Sequence, residues 1–325
     1  VQGLTPTLMD AYLNAASEVA RRAIGQRKAP VGAKTYRVPA SMSQHEWETV
    51  EGAPYGTRGG ISTLHTFPAD GEYTFSMSFM SGWGERFHDI DVSIDGARVA
   101  LLRYGGDIDF QGRKAFPIAT GPIFVRAGER RITAAFTRRM VGPYEDLIRP
   151  NEWSLTGTEA SYGTTSVPHM MSLTLEGPFD PVGVSETDSR RRVFSCRPTA
   201  PDEEEPCAAR IIERLATDAY GRAATDDDVA DLLEFFRLGA AEGGFELGIR
   251  TSLEALLASP HFLFRLEGEP EGLAPGEAYP LRGPDLAKRL SFFLWGSNPD
   301  QELRDVAASG RLTDPAILEA QARRL

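Results

Sequence analysis

The feature that most constrains this chain is a change of period. From Leu4 to Ile24, the residues Leu8, Tyr12, Ala15, Ala16, Val19 and Ala20 recur three and four apart. That is the stripe of an amphipathic helix, with Thr5 or Thr7 placed to cap it and Gly25 to end it. Between about Thr35 and Glu176 the period drops to two. Glu72 to Phe79 alternates so that Tyr73, Phe75, Met77 and Phe79 share one face. Asp89 to Ile94 alternates as well and turns at Asp95-Gly96 into Arg98–Leu102. Asp-Gly between two apolar runs is a hairpin signal, because both central residues of that turn need positive φ. Further strands fit Pro122–Val125, Arg131–Phe136 and His169–Leu175, with Gly-rich breaks at 56–60, 82–84 and 105–106. Short alternating strands with no helical pattern among them predict an antiparallel β-sandwich of the jelly-roll kind.

After residue 178 the helical period returns. Cys207–Tyr220, a run opened by Thr225, Phe245–Leu257, Pro284–Trp295, Asp300–Ala308 and a segment from Pro315 read as helices with short connections, a helical bundle. The predicted organisation is an N-terminal helix over 1–25, a sandwich over 33–178, a linker over 179–206 and the bundle over 207–325. The last helix starts well at Asp314-Pro315 and carries no stop signal, so the bundle is expected to be truncated.

Charge supports the division. The 325 residues carry 46 acidic and 35 basic groups, a net of −11. Residues 1–178 account for −1 and residues 179–325 for −10. An acidic chain lacks the basic face that phosphate contacts require, which argues against nucleic acid as partner. No apolar run approaches the ~18 to 20 residues of a membrane helix, so no membrane span is expected.

Two cysteines, Cys196 and Cys207, bracket the acidic run of the linker. Their placement favours a disulfide over two buried thiols, and closing such a loop contributes about 3 kcal/mol in the chain-entropy model. A disulfide points to an oxidising, exported setting, periplasmic or extracellular. Arg190-Arg191-Arg192 could dock an anionic partner but is expected to pair with Asp202–Glu205 across that loop.

The residues Glu51-Gly52-Ala53-Pro54-Tyr55-Gly56-Thr57-Arg58-Gly59-Gly60 and His65-Thr66-Phe67-Pro68-Ala69-Asp70-Gly71-Glu72-Tyr73 resemble a segment of large exported bacterial proteins of unknown function. These are best known from planctomycetes and are described as cytochrome-c-associated. Arg190–Pro198, Cys207–Ile212, Ala219–Arg222, Gly243–Glu246, Ser259–Arg265 and Leu290–Trp295 are similar to the linker and helical domains of the same proteins. The resemblance implies an inserted sandwich similar to calcium-dependent, xylan-binding carbohydrate modules. It also implies a Cys-x-x-Cys-His motif for c-type haem further along. These 325 residues hold no such motif. Haem is therefore not placed on them, and a partner protein or a C-terminal continuation would carry it.

Catalytic signatures are sparse. There is no Gly-x-Ser-x-Gly elbow, and the five histidines show no ligand spacing. His65 and His261 read as structural. Enzyme activity therefore ranks last of three readings, behind a non-catalytic binding module and an assembly subunit. For a carbohydrate, aromatic rings in Gly-rich loops are the natural contacts, since a flat ring faces a pyranose while polar groups fix its hydroxyls. Trp83, Tyr104 and Trp153 are the candidates, with packing over a sheet edge as the alternative for Trp83. Trp47 and Trp295 read as core. For calcium, Asp107 and Asp109 stand in a loop-like Gly105-Gly106-Asp107-Ile108-Asp109 run, where carboxylates and carbonyls can converge. Asp89 and Asp91 read as the outward face of a strand, and Asp95 as a turn residue.

Overall fold

A computed structural model describes residues 5–39, 42–44, 49–80, 88–104, 118–138, 168–264, 267, 272, 274, 277–281 and 283–325. The chain divides into two compact units. One is residues 25–187. The other joins residues 1–24 to residues 188–325. The sandwich therefore interrupts a helical unit whose first helix precedes it in sequence.

In the sandwich, β1 (Gly32–Arg37), β9 (His169–Gly183), β3 (Asp70–Met80) and β6 (Ile118–Ala119) form one antiparallel sheet in that order, and β7 (Ile123–Val125) also pairs with β3. The second sheet runs β2 (Thr57–Phe67), β8 (Gly128–Thr137), β4 (His88–Ile94) and β5 (Ala97–Tyr104). Period-two alternation places Tyr73, Phe75, Met77, Phe79, Leu173 and Leu175 on the inner face of the first sheet. They meet Ile61, Ile90, Val92, Ile132, Ala134 and Phe136 from the second, all in one buried cluster. The expected hairpin is present: Ile94 pairs with Ala97 across Asp95 (φ 50°) and Gly96 (φ 79°). Asp89 and Asp91 alternate with the core residues Ile90 and Val92, but only Asp89 is partly exposed; Asp91, read as outward-facing, is fully buried. Asp89 accepts from Arg103 at 3.1 Å, and Asp91 accepts from Ser93 and Arg98. The glycine pair of Arg58-Gly59-Gly60 makes a bulge in β2 between Arg58 and Ile61. A Cβ on Gly60 would stand 2.0 Å from the Ala134 carbonyl oxygen, and its φ is +89°. Only glycine fits there.

In the helical unit, α1 (Pro6–Ile24) buries Ala16, Ala20 and Ile24, residues four apart on one face. It packs on α5 (Phe245–Ala258) and α2 (Asp188–Val193). α3 (Pro201–Tyr220) and α4 (Asp226–Gly243) complete that core with Ile211, Ile212, Ala216, Leu232 and Phe236. The cap expected at Thr225 forms in full: Thr225 and Asp228 bond reciprocally, and Arg222 grips Asp228 with two bonds of 2.6 and 3.0 Å. The Asp228 carboxyl is held well below the usual carboxylate range, first by Arg222 and, against the cost of burial, by Thr225. A short α6 (Pro260–Leu263) follows α5. A smaller core joins α7 (Gly283–Leu294), α8 (Gln301–Ala308) and α9 (Pro315–Arg324) through Ala287, Leu303, Ala307 and Leu312.

Three expectations need correction. The segment read as a linker, 179–206, is largely structured: β9 runs to Gly183, α2 covers Asp188–Val193, and α3 starts at Pro201. The reading failed because Pro201 and Pro206 look like breakers, yet Pro201 opens the first turn, where proline has no N–H to lose, and Pro206 is carried inside the helix. The partners found for the triple arginine lie elsewhere than the acidic run. Arg190 is buried, donates to the Ile24 carbonyl and binds Glu246 at 2.6 Å, while Arg191 pairs with Asp188. Trp295 is not core. It is exposed just beyond α7, its indole N–H donating to the Leu325 carbonyl. Trp47 lies outside the described residues. The disulfide between Cys196 and Cys207 is present.

Candidate functional site

The two ends of the sandwich are built differently. At one end the strands are joined by tight turns: Pro68-Ala69 between β2 and β3, Asp95-Gly96 between β4 and β5, and Arg126-Ala127 between β7 and β8. Asp70 closes that end. Its carboxylate accepts from the Ala127 N–H (2.7 Å), the Ser185 N–H (2.9 Å) and the Ser185 hydroxyl (2.9 Å). Burial pushes its pKa up, but these three bonds and nearby Arg126 outweigh burial and hold it below the ordinary value.

At the other end stand the last residue of β1 (Arg37, paired with Ser172), the first of β2 (Thr57, paired with Thr137) and the last of β3 (Met80, paired with His169). The first of β4 (His88) stands there too, paired with the last of β5 (Tyr104). All four longer connections therefore start and finish here: 38–56, 81–87, 105–117 and 138–168.

The described residues at this end form a buried polar frame. Gln44 is 1% exposed and acts as a substitute strand. Its amide donates to the Met170 carbonyl at 2.9 Å. Its oxygen accepts from Met170 N–H at 3.0 Å and from Gly60 N–H at 3.2 Å. One side chain thus bridges both sheets. Arg58, also 1% exposed, donates to the Gln44 carbonyl at 2.9 Å and lies 4.6 Å over the Phe136 ring. A guanidinium cannot shed its charge, so such burial requires hydrogen-bond partners of this kind. His169 is fully buried beside them, at the start of β9.

Of the residues read from the sequence as ligand contacts, Trp83, Trp153, Asp107 and Asp109 lie outside the described residues. Tyr104 is a correction. Its ring is buried and tilted on Phe79 at 4.3 Å, and burial raises the pKa of its phenol. As the closing residue of β5 it alternates inward and joins the core instead of facing a ligand. Among the described residues no group of three His, Cys, Asp or Glu could hold a metal ion. His65 is bonded to the Tyr36 hydroxyl at 2.8 Å, and the His261 ring lies tilted against Tyr220 at 5.4 Å, in keeping with structural roles. Gln44 and Arg58 were not singled out from the sequence. The only signal was an arginine beside two glycines at a strand start, which reads as a turn.

Comparisons with known proteins add the following. A family model described as "PSD5: Protein of unknown function (DUF1595)" matches residues 207–267, and one described as "PSD4: Protein of unknown function (DUF1592)" matches residues 281–325. Both fall in the helical unit. No curated protein matches. Among solved structures, the chain is similar to the CBM36-1 domain of a multidomain xylanase from the hindgut metagenome of Trinervitermes trinervoides. That match has 12% identity and a TM-score of 0.28, and covers 45% of this chain and 97% of that one. A carbohydrate-binding module CBM36 in complex with calcium and xylotriose matches at 11% identity and TM-score 0.24, over 46% and 95%. CBM35 from Cellvibrio japonicus Abf62 matches at 10% and 0.27, over 47% and 100%. Likeness at this level says nothing of ligand or activity.

Proposed function

We propose that the sandwich is a non-catalytic binding module of an exported protein and that its long-loop end takes carbohydrate. The supporting observation is the asymmetry just described: four connections leave one end, above a rigid buried frame, while the other end is closed by turns. Trp83 and Trp153 belong to connections at the open end and are the proposed contacts with sugar rings. Asp107 and Asp109 belong to the connection after β5 and are the proposed carboxylate ligands of a calcium ion. Export is supported by the disulfide. No helix among the described residues is long and apolar enough to cross a membrane. A redox-associated setting follows only from the family resemblance of the sequence. Both cysteines are joined to each other, so a haem-bearing segment would belong to a continuation or a partner.

The test is isothermal titration of the full chain with xylohexaose and with cellohexaose, with and without calcium. Binding that Trp83→Ala weakens at least tenfold supports the reading, a change of about 1.4 kcal/mol. Absence of binding to either sugar, or binding indifferent to Trp83, contradicts it.

A second reading, an assembly subunit, is favoured by the C-terminal part of the helical unit. Phe293 is 83% exposed, and Leu294 and Trp295 beside it are exposed as well. Light scattering would show a mass that rises with concentration and falls back with Phe293→Glu. A monomer at every concentration contradicts this reading.

A further inference from the structure

At the open end of the sandwich one described side chain stands entirely free. Tyr55 has a relative exposure of 107%, so its ring touches nothing that helps the chain fold. The backbone beneath it is fixed. The Ala53 N–H bonds to the Val50 carbonyl at 3.2 Å, the buried Thr57 hydroxyl donates to the Pro54 carbonyl at 2.7 Å, and the Arg138 N–H donates to the Gly56 carbonyl at 2.8 Å. Pro54 restricts the chain before Tyr55, and Gly56 after it takes a positive φ of 86° with open space where a side chain would be. Two residues on, Arg58 is locked to Gln44, so the turn is anchored directly to the buried frame.

We infer that Tyr55 is a stacking platform for one sugar ring of the bound carbohydrate, a site additional to Trp83 and Trp153 and resting on the binding role proposed above. Three observations combine. The ring lies at the end from which the long connections leave. Both its faces are open to solvent. Its support is rigid, so little ordering opposes binding. The neighbours decide the ligand class. Glu51, Gly52 and Gly56 around the turn are exposed and not apolar, and the small apolar residues Ala53 and Pro54 are half-buried. A docked protein surface needs a contiguous apolar core with several anchors. A pyranose needs one flat ring for its C–H face and water or polar groups for its hydroxyls.

The experiment titrates xylohexaose and cellohexaose into full-length wild type, Tyr55→Ala, Tyr55→Phe and Tyr55→Trp, with a thermal melt and light scattering of each. Expected are a loss of affinity of tenfold or more for Tyr55→Ala, affinities within about threefold for the two aromatic variants, and melting temperatures equal to wild type. Wild-type binding left unchanged by Tyr55→Ala overturns the platform and leaves the binding role of the sandwich standing. No wild-type binding to either sugar overturns both. Loss of self-association in Tyr55→Ala, with sugar binding intact, overturns the platform in favour of a protein contact. A lower melting temperature in Tyr55→Ala overturns the premise that the ring is free.

Discussion

The two ends of the sandwich solve the same problem, tying two sheets together, by different means. The closed end uses turns of a few residues and one carboxylate, Asp70, which gathers Ala127 and Ser185 from separate parts of the chain. The open end uses side chains reaching inward: Gln44 pairs with Met170 and Gly60 as if it were backbone, and Arg58 holds Gln44. At the closed end, hydrogen bonds near the surface let the connections stay short. At the open end the frame takes Gln44 from the connection 38–56 and Arg58 from the start of β2, so the other three connections are free to vary in length and composition without loosening it. That is the arrangement expected where loops carry function on a rigid scaffold.

This contrast can be broken by substitution, and the effects should grade. The largest is expected at the open-end frame, with Gly60→Val. The new Cβ would meet the Ala134 carbonyl oxygen at 2.0 Å with φ at +89°, so stability to denaturant should fall by about 4 kcal/mol or the chain should fail to fold. A melt within a degree or two of wild type would show that the bulge is not where the chain is tight. Next is Asp70→Ala, which leaves two N–H donors without their acceptor. Urea unfolding should show a loss of about 3 kcal/mol with sugar affinity unchanged, and a parallel loss of affinity would deny that the ends are independent. Opening the disulfide by Cys196→Ser with Cys207→Ser should cost the helical unit about 3 kcal/mol and leave the sandwich and its binding untouched.

The smallest effect is one of pH. The folded pKa of Asp70 is depressed, so its contribution is complete above the unfolded value of about 3.9 and is lost as pH falls through the folded value. Asp70→Asn should therefore lower stability near neutrality, where the carboxylate contributes fully, and flatten the acid limb below about pH 4 so that variant and wild type converge there. An unchanged acid limb would remove Asp70 from the account.

How much of this could be read from the chain differs by region. The strands were legible because Tyr73, Phe75, Met77 and Phe79 alternate against polar residues, a pattern no helix shares. The hairpin at Asp95-Gly96 was legible because its φ requirement selects those residues. The disulfide was legible because only two cysteines exist. That α1 belongs with α5 was not legible, since Ala16 and Ala20 make a small-residue face that names no partner. The start of α3 at Pro201 was hidden by its prolines. At the open end Tyr104 looked like a loop aromatic beside Gly105, and only three dimensions show its ring on Phe79. Gln44 and Arg58 were invisible because polar residues near a turn look solvated until both sheets close over them. Tyr55 was likewise not singled out, because exposure is a property of the folded turn and not of the sequence Pro54-Tyr55-Gly56.

The measurement that bears most directly on the central claim is hydrogen exchange of the full chain, read by mass spectrometry, with and without saturating xylohexaose. Protection should appear in peptides covering 49–58, 81–87, 105–117 and 139–167, with no change at 68–70, 95–96 and 126–127. Protection at the short turns or across the outer sheet faces, with the long connections unchanged, would contradict the assignment of ligand binding to the open end.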